Sequence, residues 1–132
     1  MATLSGTITA VGQHATNAGP VVNGSSVAVL SCVIAATFSG TYVQADDATI
    51  TAIPTAIAAS RRDGKTVSMV GFCFESPGLE GSTVIGAGLP SSLSSTAAVF
   101  PLTGSDLSTE HAGATLSTMT RPIQFRVVYT LA

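Results

Sequence analysis

Apolar and polar residues alternate most regularly at the C-terminal end, where Ile123, Phe125, Val127, Tyr129 and Leu131 interleave with Gln124, Arg126, Val128 and Thr130. A period of two is the pattern of a strand with one dry face and one wetter one. Pro122 is tolerated as its first residue, and Arg121 and Arg126 read as charges guarding a sheet edge. At the other end, residues 4–11 alternate Leu4, Gly6, Ile8 and Ala10 against Ser5, Thr7, Thr9 and Val11, a second half-buried strand. Residues 12–26 hold Gly12, Asn17, Gly19, Pro20, Asn23 and Gly24, broken only by Val21 and Val22. This composition predicts a long connection, either an arm laid on a neighbouring molecule or a mobile loop.

In residues 27–38 both parities are apolar, with Val27, Val29 and Val33 on one side and Leu30, Cys32, Ile34 and Phe38 on the other. A strand buried on both faces follows from that. Residues 54–62 are mostly good helix formers, with Pro54 where a first turn tolerates it and Ile53 and Ile57 four apart. The spacing predicts one short helix, with Arg61 and Arg62 in its last turn and Gly64 in the left-handed position that ends it. Residues 66–74 return to period two, with Val67, Met69 and Cys73 opposite Val70, Phe72 and Phe74, and read as a central strand. Residues 75–82 read as turns, residues 83–89 and 96–102 as short strands, and residues 90–95 and 103–113 as polar loops. The sum is an all-β chain of about six to eight strands, a single-domain β-sandwich or jelly-roll-like barrel with one short helix near residues 54–62. Residues 1–132 form one domain, with residues 1–25 as its candidate arm.

Composition narrows the partners. Charged residues make up 9% of the 132, against about a quarter in an ordinary domain, and 45% are apolar. With few charges to keep copies apart, such a surface is easiest to understand as covered by other subunits. A net charge of −2 and five dispersed basic residues argue against a nucleic-acid surface. The first ten residues lack the basic and apolar regions of a signal peptide, and no apolar run is long enough for a membrane-spanning helix. Cys32 and Cys73, in apolar segments without an export signal, read as reduced core residues.

The candidate chemistry is sparse. Gly64, Lys65 and Thr66 match the end of a phosphate-binding loop, but Ala59 replaces its first glycine and the helix precedes the motif, so a charged surface turn is the better account. Asp46 and Asp47 lack the repeated oxygen ligands of a calcium loop and read as turn residues. Asp106, Glu110 and His111 share one loop without a second ligand at metal spacing, and His14 is remote in sequence. Thr103 and Asp106 read instead as turn caps. A hydrolase would need a nucleophile elbow, and none is present. A carbohydrate-binding or host-attachment module would want exposed aromatics, and the chain has no Trp and only Tyr42 and Tyr129. The residues therefore assign no catalytic, cofactor or metal site.

Residues 36–67, ATFSGTYVQADDATITAIPTAIAASRRDGKTV, residues 102–122, LTGSDLSTEHAGATLSTMTRP, and the final strand together resemble small proteins encoded among the virion genes of tailed bacteriophages. A small β-rich protein of this kind is similar to capsid decoration, or cement, proteins. The resemblance implies a structural virion protein on the capsid surface, assembled in the host bacterial cytoplasm. Its partners would be the major capsid protein and its own copies, a trimer being favoured, with neither nucleic acid nor membrane. A tail or neck component is the alternative within the same setting. Val21 and Val22 in the arm, and Arg61, Arg62 and Lys65 in the turn after the helix, are the candidate contacts.

Overall fold

The computed structural model describes residues 3–22, 25–117 and 119–131. Residues 1, 2, 23 and 24 of the candidate arm lie outside them. The chain is all-β, and its main feature is a nearly closed, barrel-like sheet of seven strands with one short helix beside it. Taken along the sheet, the order is β5 (Val67–Ser76), β13 (Ile123–Leu131), β2 (Ser25–Phe38), β1 (Thr3–Val22), β4 (Asp47–Ile50), β9 (Ala98–Phe100) and β8 (Ser92–Leu93). A four-stranded sheet runs β10 (Leu102–Thr103), β7 (Thr83–Ala87), β6 (Gly78–Glu80) and β12 (Met119–Arg121). A pair, β3 (Gly40–Val43) with β11 (Gly113–Leu116), completes the strands among the described residues.

The core follows from alternation on β2 and β13. Leu30, Cys32, Ile34, Ala36 and Phe38 of β2 and Ile123, Phe125, Val127 and Tyr129 of β13 all point inward. All five phenylalanines join one cluster that reaches across the barrel. Phe72 stacks on Phe125 at 4.9 Å and on Phe100 at 5.8 Å, Phe100 lies 5.0 Å from Phe125, and Phe38 and Phe74 meet the stack edge-on. These rings come from β5 at one end of the sheet and β9 near the other, so the stack draws the two ends together. Gly6, paired with Phe38, leaves room for that ring: a Cβ there would lie 2.5 Å from it.

Residues 12–26 do not form a long connection: β1 runs unbroken to Val22 and pairs antiparallel with β2 through Val22↔Ser25. Residues 6–22 of β1 oppose residues 25–38 of β2, so β1 carries three extra residues, taken up in bulges at Thr9, at residues 13–14 and at residues 19–20. Pro20, which has no N–H to give a ladder, falls in one of those bulges. The turn-forming composition of this stretch thus marks irregularities within a strand.

The last strand and the strand after the helix also exchange places. β13 is internal, flanked by β2 and β5, and β5 forms the edge. Arg126 points outward without guarding an edge; it pairs with Glu75 of β5 at 2.8 Å and donates to Ser31 Oγ of β2 at 3.2 Å, tying three strands together. In β5, bulges at Val70 and Glu75 break the alternation. Val67 and Met69 face inward before the first bulge, and Phe72 and Phe74 face the core after it. One inserted residue moves every later side chain to the opposite face, which is why Cys73 is exposed instead of buried with Met69.

The helix α1 (Ile53–Arg61) lies where the sequence predicts, burying Ile53 and Ile57. Its first N–H is bound by the Thr96 carbonyl at 3.0 Å and not by a capping side chain. Its end differs from expectation. Arg62 takes the left-handed conformation, φ 60°, and its N–H bonds the Ala58 carbonyl, while Gly64 makes a second left-handed turn at φ 72°.

Removing the central ring of the aromatic cluster tests its weight. Phe125→Ala is expected to cost about 3–5 kcal/mol of stability, read as a lowered denaturant midpoint; a loss near zero would show that the sheet ends are held together by something else.

Candidate interaction surfaces and their polar supports

The sequence-predicted contact residues fall into two places. Val21 and Val22 end β1, opposite Ser26 and Ser25 of β2. The third-strand ladder on β2 stops at Tyr129↔Leu30, so residues 17–22 and 25–29 continue as a two-stranded ribbon with no third strand among the described residues. Five residues of extended chain reach roughly 17 Å. From residue 1 to residue 45 the chain contains no Asp, Glu, Lys or Arg, so the ribbon carries no formal charge.

Arg61, Arg62 and Lys65 surround the tight turn after α1. Asp63 organises it: one carboxylate oxygen accepts from Arg61 Nε and Nη2, at 3.0 and 2.8 Å, and the other accepts from the Lys65 backbone N–H at 3.1 Å. The Lys65 N–H, and after it the Arg61 guanidinium, hold the Asp63 carboxyl below the usual carboxylate range. Arg61 is committed inward, since its Nη1 donates to the Tyr129 hydroxyl at 3.1 Å and its guanidinium lies 5.9 Å from the centre of that ring. Arg62 and Lys65 are exposed, which leaves these two as the cations of this turn open to a partner.

Sequence reasoning missed the network behind Arg61. His14 Nδ1 lies 2.9 Å from the Tyr129 hydroxyl, and its Nε2 lies 3.2 Å from Ser60 Oγ. A hydroxyl 3.2 Å from an imidazole held by a third group has the outline of an activated nucleophile. The proton inventory denies that role. Arg61 can only donate to the Tyr129 oxygen, and Tyr129 is fully buried, so the phenol hydrogen goes to His14 Nδ1. The ring hydrogen then sits on Nε2 and is donated to Ser60 Oγ, which in turn donates to the Val11 carbonyl at 3.4 Å. With Nε2 already protonated, His14 cannot take the serine's proton. The network is a clamp joining β1, α1 and β13.

The Asp106–Glu110–His111 loop borders an open depression of about 370 Å³, yet its polar groups bind the chain itself. Asp106 accepts from the Ser108 and Thr109 N–H groups, both at 3.0 Å, which is half of the cap read from the sequence; Thr103 does not cap, its Oγ1 being buried without a hydrogen-bond partner among the described residues. Glu110 accepts from the buried Tyr42 hydroxyl at 2.7 Å and from the Ala45 N–H at 3.0 Å, and the Leu102 N–H donates to the same phenol. Burial, and then the Glu110 hydrogen bond, hold the Tyr42 phenol above its ordinary value. His111 Nδ1 accepts from the Gly113 N–H. Among the described residues no cluster of His, Cys, Asp and Glu is arranged to hold a metal ion, and no helix is long and apolar enough to cross a membrane. Asp46 follows a turn closed by its N–H on the Val43 carbonyl, and Asp47 accepts from Ser91 Oγ.

Both tyrosines are buried, with the Tyr42 and Tyr129 rings 1% and 0% exposed, so neither offers a stacking face to a sugar. No known family, curated protein or solved structure matches this chain.

The two cysteines provide a check on this geometry. Burial pushes the Cys32 thiol up to about 11, and Cys73 lies exposed beside Phe74. A thiol reagent at neutral pH is therefore expected to modify Cys73 in the native monomer and Cys32 only after unfolding. Mass spectrometry of the labelled peptides distinguishes this from equal labelling, which would place Cys32 outside the core.

Proposed function

We propose that this chain is a structural virion protein of a tailed bacteriophage, a decoration protein that binds the outer capsid surface and its own copies. The observation that carries this reading is the ribbon of residues 17–22 and 25–29: uncharged, continuous with the core sheet, and with no third strand beside it among the described residues. A lone two-stranded ribbon is marginal in water, so one whose base is held in the core sheet is suited to being completed by a partner. The resemblance of residues 36–67 and 102–122 to phage virion proteins supplies the setting. Arg62 and Lys65 supply the cations for an acidic patch on a shell subunit. Small subunits that bridge capsomers add modest contact area at each site, and repetition over the shell multiplies the effect.

The test is the position and copy number of the chain in purified particles by cryo-electron microscopy, with the ribbon as the variable. Removing residues 2–22 would delete an internal strand, so the informative variant shortens the hairpin, replacing residues 18–28 with Asn-Gly between the paired Asn17 and Val29. The reading predicts many copies at capsomer junctions for the full chain and few or none for the shortened one. A handful of copies at the vertex or along the tail would make it a neck or tail protein, and binding indifferent to the ribbon would remove the ribbon from the contact.

A further inference from the structure

The sheet has a second unfinished element. β5 ends the seven-stranded sheet, and on the side away from β13 none of its backbone N–H or C=O groups has a backbone partner among the described residues. Natural edges are guarded by charge, bulges or cover; the bulges of β5 at Val70 and Glu75 leave residues 71–74 as its longest regular run. β5 carries one charged residue in ten, Glu75, and Arg126 neutralises it. Val70, at the bulge, is 59% exposed. Beside the edge opens a slot of about 280 Å³, lined by Cys73, Phe74, Ala87, Gly88, Leu89 and Leu107, with Leu89 87% exposed at its side.

We infer that the open edge of β5 receives the β1–β2 ribbon of a second copy, which adds its β2 side as a further strand and covers the slot. The chain supplies both halves of this joint. Adding a strand needs a free backbone edge, and the ribbon's β2 side offers residues 25–29 without an inserted residue, whereas the β1 side is interrupted by bulges. Charge points to a copy of the chain as the occupant. The ribbon has none, and the edge and slot present Glu75 already paired, so nothing there would select a charged peptide. Edge and ribbon are different surfaces of one molecule, so the contact is heterologous and the copies close into a ring or extend as a chain.

This inference rests on the self-association part of the proposed function and identifies its surface. Its test uses the isolated full chain in solution, so its failure and a failure of capsid attachment are separate results. Light-scattering mass of the wild type at micromolar concentration is expected to exceed that of a monomer, and Val70→Lys, which adds a charged guard at an exposed position, is expected to return it to monomer with unchanged circular dichroism. Should that variant fail to fold, Leu89→Glu carries the same test. Ser26→Cys is expected to form an intermolecular disulfide with Cys73 that disappears in Ser26→Cys/Cys73→Ser, with Cys32 silent in the core. A monomeric wild type overturns the inference. So does an oligomer that survives the edge variant and cross-links only through residue 26 to residue 26, because the ribbons would then be pairing with each other.

Discussion

The contact on which the rest of the structure depends is the stack of Phe72, Phe125 and Phe100. These rings belong to β5, β13 and β9, so their stacking pulls the two ends of a seven-stranded sheet towards each other. Aromatic pairs at 4.5–7 Å are worth roughly 0.5–1.5 kcal/mol each beyond the area they bury. The demand on β5 is specific: it must direct Val67 and Met69, and then Phe72 and Phe74, into one core. Strict alternation cannot do that, and the bulge at Val70 is the solution. The same bulge puts Val70 outside and leaves β5 as an irregular, nearly uncharged edge. Barrel closure by side chains instead of backbone pairing is thus what leaves an edge open.

Scarce charge is used locally. Of five basic and seven acidic residues, Arg126 and Glu75 tie β13 to β5, Arg61 and Asp63 hold the turn after α1 against Tyr129, and Glu110 holds the Tyr42 phenol. The His14 clamp then joins β1 and α1 to β13 at the base of the ribbon. A tied base matters for assembly, because a ribbon whose anchor is already ordered loses less freedom when it meets a partner. The surface left over is small, hydroxylated and close to neutral, which suits repeated close packing.

The class of the fold, the helix and the strands at both ends were legible in the sequence because period two and helix-former runs report which faces are buried. Place within the sheet was not. Nothing in the alternation of residues 66–74 or 123–131 says which strand is internal; pairing between segments far apart decides it, and Arg126 reads as an edge guard until Glu75 is found beside it. Residues 12–26 misled through chemistry that is correct in isolation: Gly19 and Pro20 do break a ladder, but a bulge absorbs the break within a continuing strand. Arg62 and Lys65 were legible as exposed cations, while Arg61 was not legible as a half-buried tie, since its partner Tyr129 is 68 residues away. The Ser60–His14–Tyr129 network was equally hidden, with its members 46 and 115 residues from His14.

The central claim is that the uncharged ribbon lacks a third strand in the monomer and gains one in the assembly. Amide hydrogen exchange over residues 17–29, compared between the monomeric Val70→Lys variant and purified particles of the wild type, tests it most directly. The account predicts fast exchange in the monomer and strong protection in the particle, with the amides of β13 protected in both. Ribbon amides that exchange equally fast in the particle would contradict it.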